Sequence, residues 1–145
     1  MYGFSSKHRT DVRIHTLKEF NDPYNDVVRG RINGISPEYY TRMGAAIRFA
    51  TETLGRQKSR ERLLLLLTDG KPNDADHYEG RYGIEDTRKA LVAARQQGLR
   101  PFCVTVDEEA HEYLPHIFGK DNFIIIRKPS ELPARLPLLY AILTR

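Results

Sequence analysis

Asp69 stands where a run of five leucines, Leu63 to Leu67, stops at Thr68-Asp69-Gly70 and gives way to Lys71-Pro72-Asn73-Asp74. An apolar run this short, ended by turn-forming residues, reads as a strand buried on both faces. Such strands belong to parallel sheets covered by helices, and ligands of those sheets sit beyond the strands' carboxyl ends. A carboxylate at that end is placed to meet a ligand or a hard metal ion; from position alone it serves equally well as a helix or turn cap. Thr41 is the second candidate, a hydroxyl just ahead of a helical pattern, and its spacing alone reads as an ordinary N-cap. The third is the polar stretch 69–83, which carries Asp74, Asp76, His77 and Glu79, with Glu85 close behind. Long loops at a strand's carboxyl end often carry function. An α/β hydrolase or nucleotide enzyme built on Asp69, Asp74 and His77 would need a nucleophile or a phosphate loop, and neither accompanies them.

Other reactive residue types point to no site. His111 and His116 are five apart, about 140° around a helix, so they do not share a metal-binding face and read as solvated residues. Cys103 lies inside the apolar run Phe102-Cys103-Val104-Thr105-Val106 and reads as packing. The chain contains no G-x-S-x-G elbow, no G-x-x-x-x-G-K-[ST] or G-x-G-x-x-G phosphate loop, no H-E-x-x-H and no paired cysteine ligands, which argues against an enzyme.

These residues need elements to position them. Tyr2-Gly3-Phe4 reads as the tail of a strand, residues 5–11 as a polar loop, and residues 12–19 as a half-exposed strand in which Val12, Ile14 and Thr16 share a face. The two form an antiparallel hairpin at a sheet edge. Asp22 and Pro23 read as N-cap and first residue of a short helix reaching about Arg31. A second helix opens after Thr41, its apolar face made by Met43, Ile47, Ala50 and Leu54. Beyond the leucine strand come a helix over 84–97 stopped by Gly98, a strand over 100–106, a short helical segment over 110–118, a strand over 123–126, and a C-terminal helix entered through prolines. The order predicts an α/β layered domain, residues 1–145, with a mostly parallel sheet and one antiparallel hairpin.

The 145 residues suffice for one domain with a sizeable core. A single cysteine allows no intrachain disulfide, no stretch approaches a membrane span, and residues 1–8 do not resemble a signal peptide, so a cytoplasmic protein is expected. The net charge of +4 favours acidic partners weakly. The basic residues are interspersed with acids and lack aromatic interleaving, so no nucleic-acid partner is expected.

Three landmarks, Val12-Arg-Ile-His-Thr-Leu-Lys-Glu-Phe20, Thr41-Arg-Met-Gly-Ala-Ala46 and Leu65-Leu-Leu-Thr-Asp-Gly70, together resemble a von Willebrand factor A (vWA) domain. The resemblance implies a three-layer α/β/α, Rossmann-like fold. It also implies a metal-ion-dependent adhesion site for a divalent ion, usually Mg²⁺, built from an Asp-x-Ser-x-Ser loop, a Thr before a later helix and an Asp at a strand's end. Thr41 matches that Thr and Asp69 that Asp, and a hydroxyl and a carboxylate are oxygen ligands of the kind Mg²⁺ takes. More narrowly, Tyr39-Tyr-Thr-Arg-Met-Gly-Ala-Ala46, Pro101-Phe-Cys103, His116-Ile-Phe-Gly119 and Leu136-Pro-Leu-Leu-Tyr140 look like the C-terminal vWA domain of the NorD/CbbO family. That likeness implies an adaptor without catalysis of its own. Its partners would be a MoxR-type AAA+ ATPase and a target enzyme such as nitric oxide reductase or Rubisco.

One departure qualifies the match: no Asp-x-Ser-x-Ser occurs in the sequence, and the chain opens on what corresponds to the family's second strand. The expectation is therefore a vWA domain lacking its first strand, as part of a longer protein, with weak Mg²⁺ binding and self-association through exposed sheet edges. The alternative is a degenerate, metal-independent interaction domain.

Overall fold

The computed structural model describes residues 1–144. Its strands are β1 (Tyr2–His8), β2 (Asp11–Thr16), β3 (Leu63–Thr68), β4 (Arg100–Thr105) and β5 (Phe123–Ile125). Its α-helices are α1 (Asp26–Asn33), α2 (Met43–Gly55), α3 (Gly80–Gln96), α4 (Leu114–Phe118) and α5 (Leu132–Leu143), with 3₁₀ turns at Glu108–Glu112 and Pro129–Glu131. The strands form two sheets, the antiparallel pair β1-β2 and the parallel trio β3-β4-β5.

Parallel pairing needs a long crossover, and α3 supplies it between β3 and β4. The register places Leu63 opposite Arg100 and Thr68 opposite Thr105, so the carboxyl ends of the two strands finish side by side. One face of the trio, through Leu64, Leu66 and Cys103, packs on Met43 and Ile47 of α2, Ala90, Leu91 and Ala94 of α3, and Leu114, Ile117 and Phe118 of α4. The other face, through Phe102, Val104 and Ile126, is covered by Leu132, Leu136, Leu139 and Leu143 of α5. This is the expected α/β/α layering.

The leucine strand is not buried on both faces. Leu64 and Leu66 are 9% exposed, whereas Leu65 and Leu67 are 37% and 48% exposed. Among the described residues, the apolar cluster that α5 makes on the second face takes in Phe102 and Val104 of β4, Ile124 of β5 and Leu63 of β3. Nor does β3 pair with the hairpin. A groove of about 600 Å³ lined by Tyr2, Phe4, Ser5, Tyr40 and Leu67 lies between them.

Several expected boundaries shift. β1 runs on to His8 because its polar residues are used: Ser5 and Ser6 are buried, and Ser6 pairs its backbone with Tyr40 in both directions, at 3.0 and 2.9 Å. The first helix begins later than Pro23. Asn25 is its N-cap and accepts from Val27 and Val28, while Asp22 accepts from the Glu19 N–H and takes Arg31. α3 starts at Gly80 rather than 84, which shortens the loop after β3 to residues 69–79.

Candidate functional site

The two residues singled out from the sequence line one cleft. Thr41 and Asp69 share with Lys71, Asn73, Asp107 and Glu109 a depression of about 360 Å³ at the carboxyl ends of β3 and β4. Asp69 follows directly on β3. Thr41 is brought to it by the backbone, because the Thr41 N–H donates to the Asn73 carbonyl at 3.0 Å and the Asn73 N–H to the Thr41 carbonyl at 3.1 Å. This bridge ties the loop before α2 to the loop after β3. Thr41 is not the N-cap of α2; that position belongs to Arg42, which makes no side-chain cap bond.

A buried ionic cluster fixes both loops from beneath. The Arg42 side chain is 8% exposed, and its Nε donates to Asp74 Oδ2 at 3.0 Å while Nη2 reaches Asp76. Asp74 is fully enclosed. The guanidinium lies over the Tyr78 ring, 4.2 Å from its centroid, and the Arg42 N–H donates to Ser6 Oγ at 3.1 Å, so the cluster also holds β1. The buried Tyr78 hydroxyl donates to Asp86 on α3 and accepts the Gly44 N–H at 3.1 Å, satisfying an orphan donor of the first turn of α2. Burial and the Asp86 bond push the Tyr78 hydroxyl up to about 12, so it stays a donor. Gly44 permits this approach, since a Cβ there would lie 1.9 Å from Asp86 Oδ2 and 2.8 Å from the Tyr78 hydroxyl. Burial raises the Asp86 carboxyl, but bonds from Arg48 and Tyr78 outweigh it and hold the group below the ordinary range.

Around the cleft, Asp107 accepts from the Glu109 N–H and the Tyr113 hydroxyl. Lys71 donates to Glu109 at 2.6 Å and lies 3.6 Å from Glu112, contacts that raise its ammonium pKa. Among the described residues, the Thr41 hydroxyl and the Asp69 carboxylate accept no hydrogen bond and the latter joins no ion pair. Both are oxygen donors of the kind a hard cation takes. No group of three or more His, Cys, Asp or Glu side chains among the described residues has the arrangement of a metal site.

The other candidates are held elsewhere. Asp74 and Asp76 are engaged by Arg42, and His77 is exposed in left-handed backbone with φ 64°. His116 bonds Glu85 on α3 and His111 stands exposed, so the two do not converge. Sequence reasoning missed Asn73, Tyr78 and Asp107. Only Asp107 carried a local signal, as a second carboxylate just beyond the end of the neighbouring parallel strand.

A parallel sheet between helix layers, with Thr41 and Asp69 lining one depression at its carboxyl edge, is the arrangement to which comparisons with known proteins speak. The von Willebrand factor type A domain family matches residues 2–134, and the chain belongs to that family. Within it the likeness is to NorD proteins. The NorD of Stutzerimonas stutzeri is 60% identical over 131 residues, covering 90% of this chain and 21% of that protein. The NorD of Brucella melitensis is 48% identical over 140 residues, 97% of this chain and 22% of that protein. An uncharacterized Pseudomonas aeruginosa protein is 58% identical over 145 residues, all of this chain and 24% of its own length. The chain thus spans less than a quarter of each of these relatives. No solved structure gives a significant match.

Proposed function

We propose that this chain is a non-catalytic, protein-binding vWA module of a NorD-like adaptor. It acts with a MoxR-type AAA+ ATPase to activate a target enzyme, and the likeness to NorD favours nitric oxide reductase over Rubisco as that target. The observation that carries this reading is the pair of unengaged oxygen donors, Thr41 and Asp69, in one cleft built by two stitched loops. Thr41 and Asp69 would hold Mg²⁺ or another divalent cation weakly, and such an ion would offer a hard Lewis-acid position to a partner's carboxylate. The chain's own residues supply the remaining part: Asn73 fixes the height of Thr41, and the Arg42 cluster keeps both loops rigid. Among the described residues, no helix is long and apolar enough to cross a membrane, and the setting we propose is cytoplasmic, in keeping with the lone buried Cys103.

Capture experiments with the full-length protein test the proposal. Asp69→Ala is expected to lose retention of the ATPase, the target or both; undiminished capture of both overturns it. A metal-independent interaction domain is the second reading, favoured by the Lys71 ammonium at the cleft. Mg²⁺ calorimetry on the same protein separates the two, because only the first reading has binding that Asp69→Ala abolishes.

A further inference from the structure

We propose that the outer edge of β5 docks an extended, acidic polypeptide segment as an added strand. β5 is the terminal strand of the parallel trio and, among the described residues, pairs with β4 alone. Ile126 donates to Thr105 at 2.8 Å and Asn122 accepts from Cys103 at 3.0 Å, so the even-numbered residues turn their backbone groups toward β4. Phe123 and Ile125 therefore turn theirs away from the sheet, since backbone bonding alternates along a strand. A groove of about 850 Å³ runs along this edge, between the Glu108–Glu112 turn and the start of α5. That is room for an extended backbone to pair with the free groups.

Charge decides what kind of strand fits. The groove is lined by Lys120, Arg127, Lys128 and Arg135, against one carboxylate, Glu108. Lys120, Arg127 and Lys128 enter no ion pair among the described residues, and Arg135 reaches only Glu131 at 3.8 Å. Cations on an edge strand repel further copies of a chain whose net charge is +4, and they attract a strand bearing Asp or Glu. The apolar β5 side chains offer no stacking aromatic series to a single-stranded nucleic acid, which favours a polypeptide.

The test uses a fluorescent peptide of alternating Glu and Val, titrated into the full-length protein at low salt and followed by anisotropy. Alternating Lys-Val peptide and oligothymidylate serve as controls. The Glu-Val peptide is expected to bind and to slow hydrogen exchange at the Ile125 amide, while Lys-Val does not bind. The exposed double substitution Arg127→Glu/Lys128→Glu is expected to weaken binding about tenfold or more. Asp69→Ala is expected to leave it unchanged, which separates this edge from the cleft. No binding, equal binding by the charge-reversed variant, an unprotected Ile125 amide, or tighter binding of oligothymidylate would each overturn the proposal.

Discussion

Arg42 carries more of this architecture than its place beside Thr41 suggests. Its guanidinium is the sole cation on the enclosed Asp74 carboxylate among the described residues, and it bridges to Asp76 and Tyr78. Truncating one member of a buried pair strands the other, at a cost of about 3–5 kcal/mol. Arg42→Ala should therefore lower the denaturant midpoint sharply, and adding Asp74→Leu should recover much of the loss, because a buried pair replaced on both sides by apolar groups is often neutral. A double variant no more stable than the single one would show that the pair is not what Arg42 contributes. The sequence singled out Thr41 and Asp69 through a family motif, and the structure places both on one cleft. The contacts that hold them are long-range: Arg42 meets residues 74 and 76, and Gly44 meets Tyr78 and Asp86, so no local spacing announces them.

β3 is the element whose situation decides how the chain behaves alone. One edge is paired with β4, and the other faces the groove beside β1, where Leu67 stands 48% exposed. An open edge with apolar side chains is a template for pairing with another chain. The chain is expected to self-associate at micromolar concentration in size-exclusion chromatography, and Leu67→Lys to return it toward the monomer; a stable monomer without the substitution would refute this. The elements themselves were readable where periodicity was strong, as in the α2 stripe of Met43, Ile47, Ala50 and Leu54. They were less so where polar residues build structure. Ser5 and Ser6 belong to a strand because Ser6 pairs with Tyr40, and α3 begins at Gly80, ahead of its first apolar residue with a helical partner. The burial of β3 was overestimated because five leucines specify a strand but not what covers its second face.

At the scale of the whole molecule, the carboxylates that tie elements together predict its response to acid. A bond from the Arg9 N–H foremost holds Asp76 low, bonds from His116 and then Arg88 do so for Glu85, and at Asp86 the Arg48 and Tyr78 bonds outweigh burial. Each has a folded pKa below its unfolded value, so each contributes stability that is complete above the unfolded pKa and lost as pH falls through the folded one. Ordinary values of 3.8 for the aspartates and 4.5 for the glutamate place the start of that loss at about pH 5. Melting temperature should be level from pH 7 to about 5 and fall below that, less steeply in Asp86→Asn than in the parent; identical slopes would remove Asp86 from the account.

Cys103 sits in the middle of β4 with no exposed surface, and burial pushes its thiol up to about 12. Because the thiolate is the reactive form, a solution alkylating agent meets almost none of it while the sheet is closed. The chain contains no other cysteine, so every modified molecule is one whose central strand has come apart. The protein thus carries its own clock: with reagent in such excess that labelling outpaces reclosing, the rate of thiol labelling counts openings of the sheet, one molecule at a time.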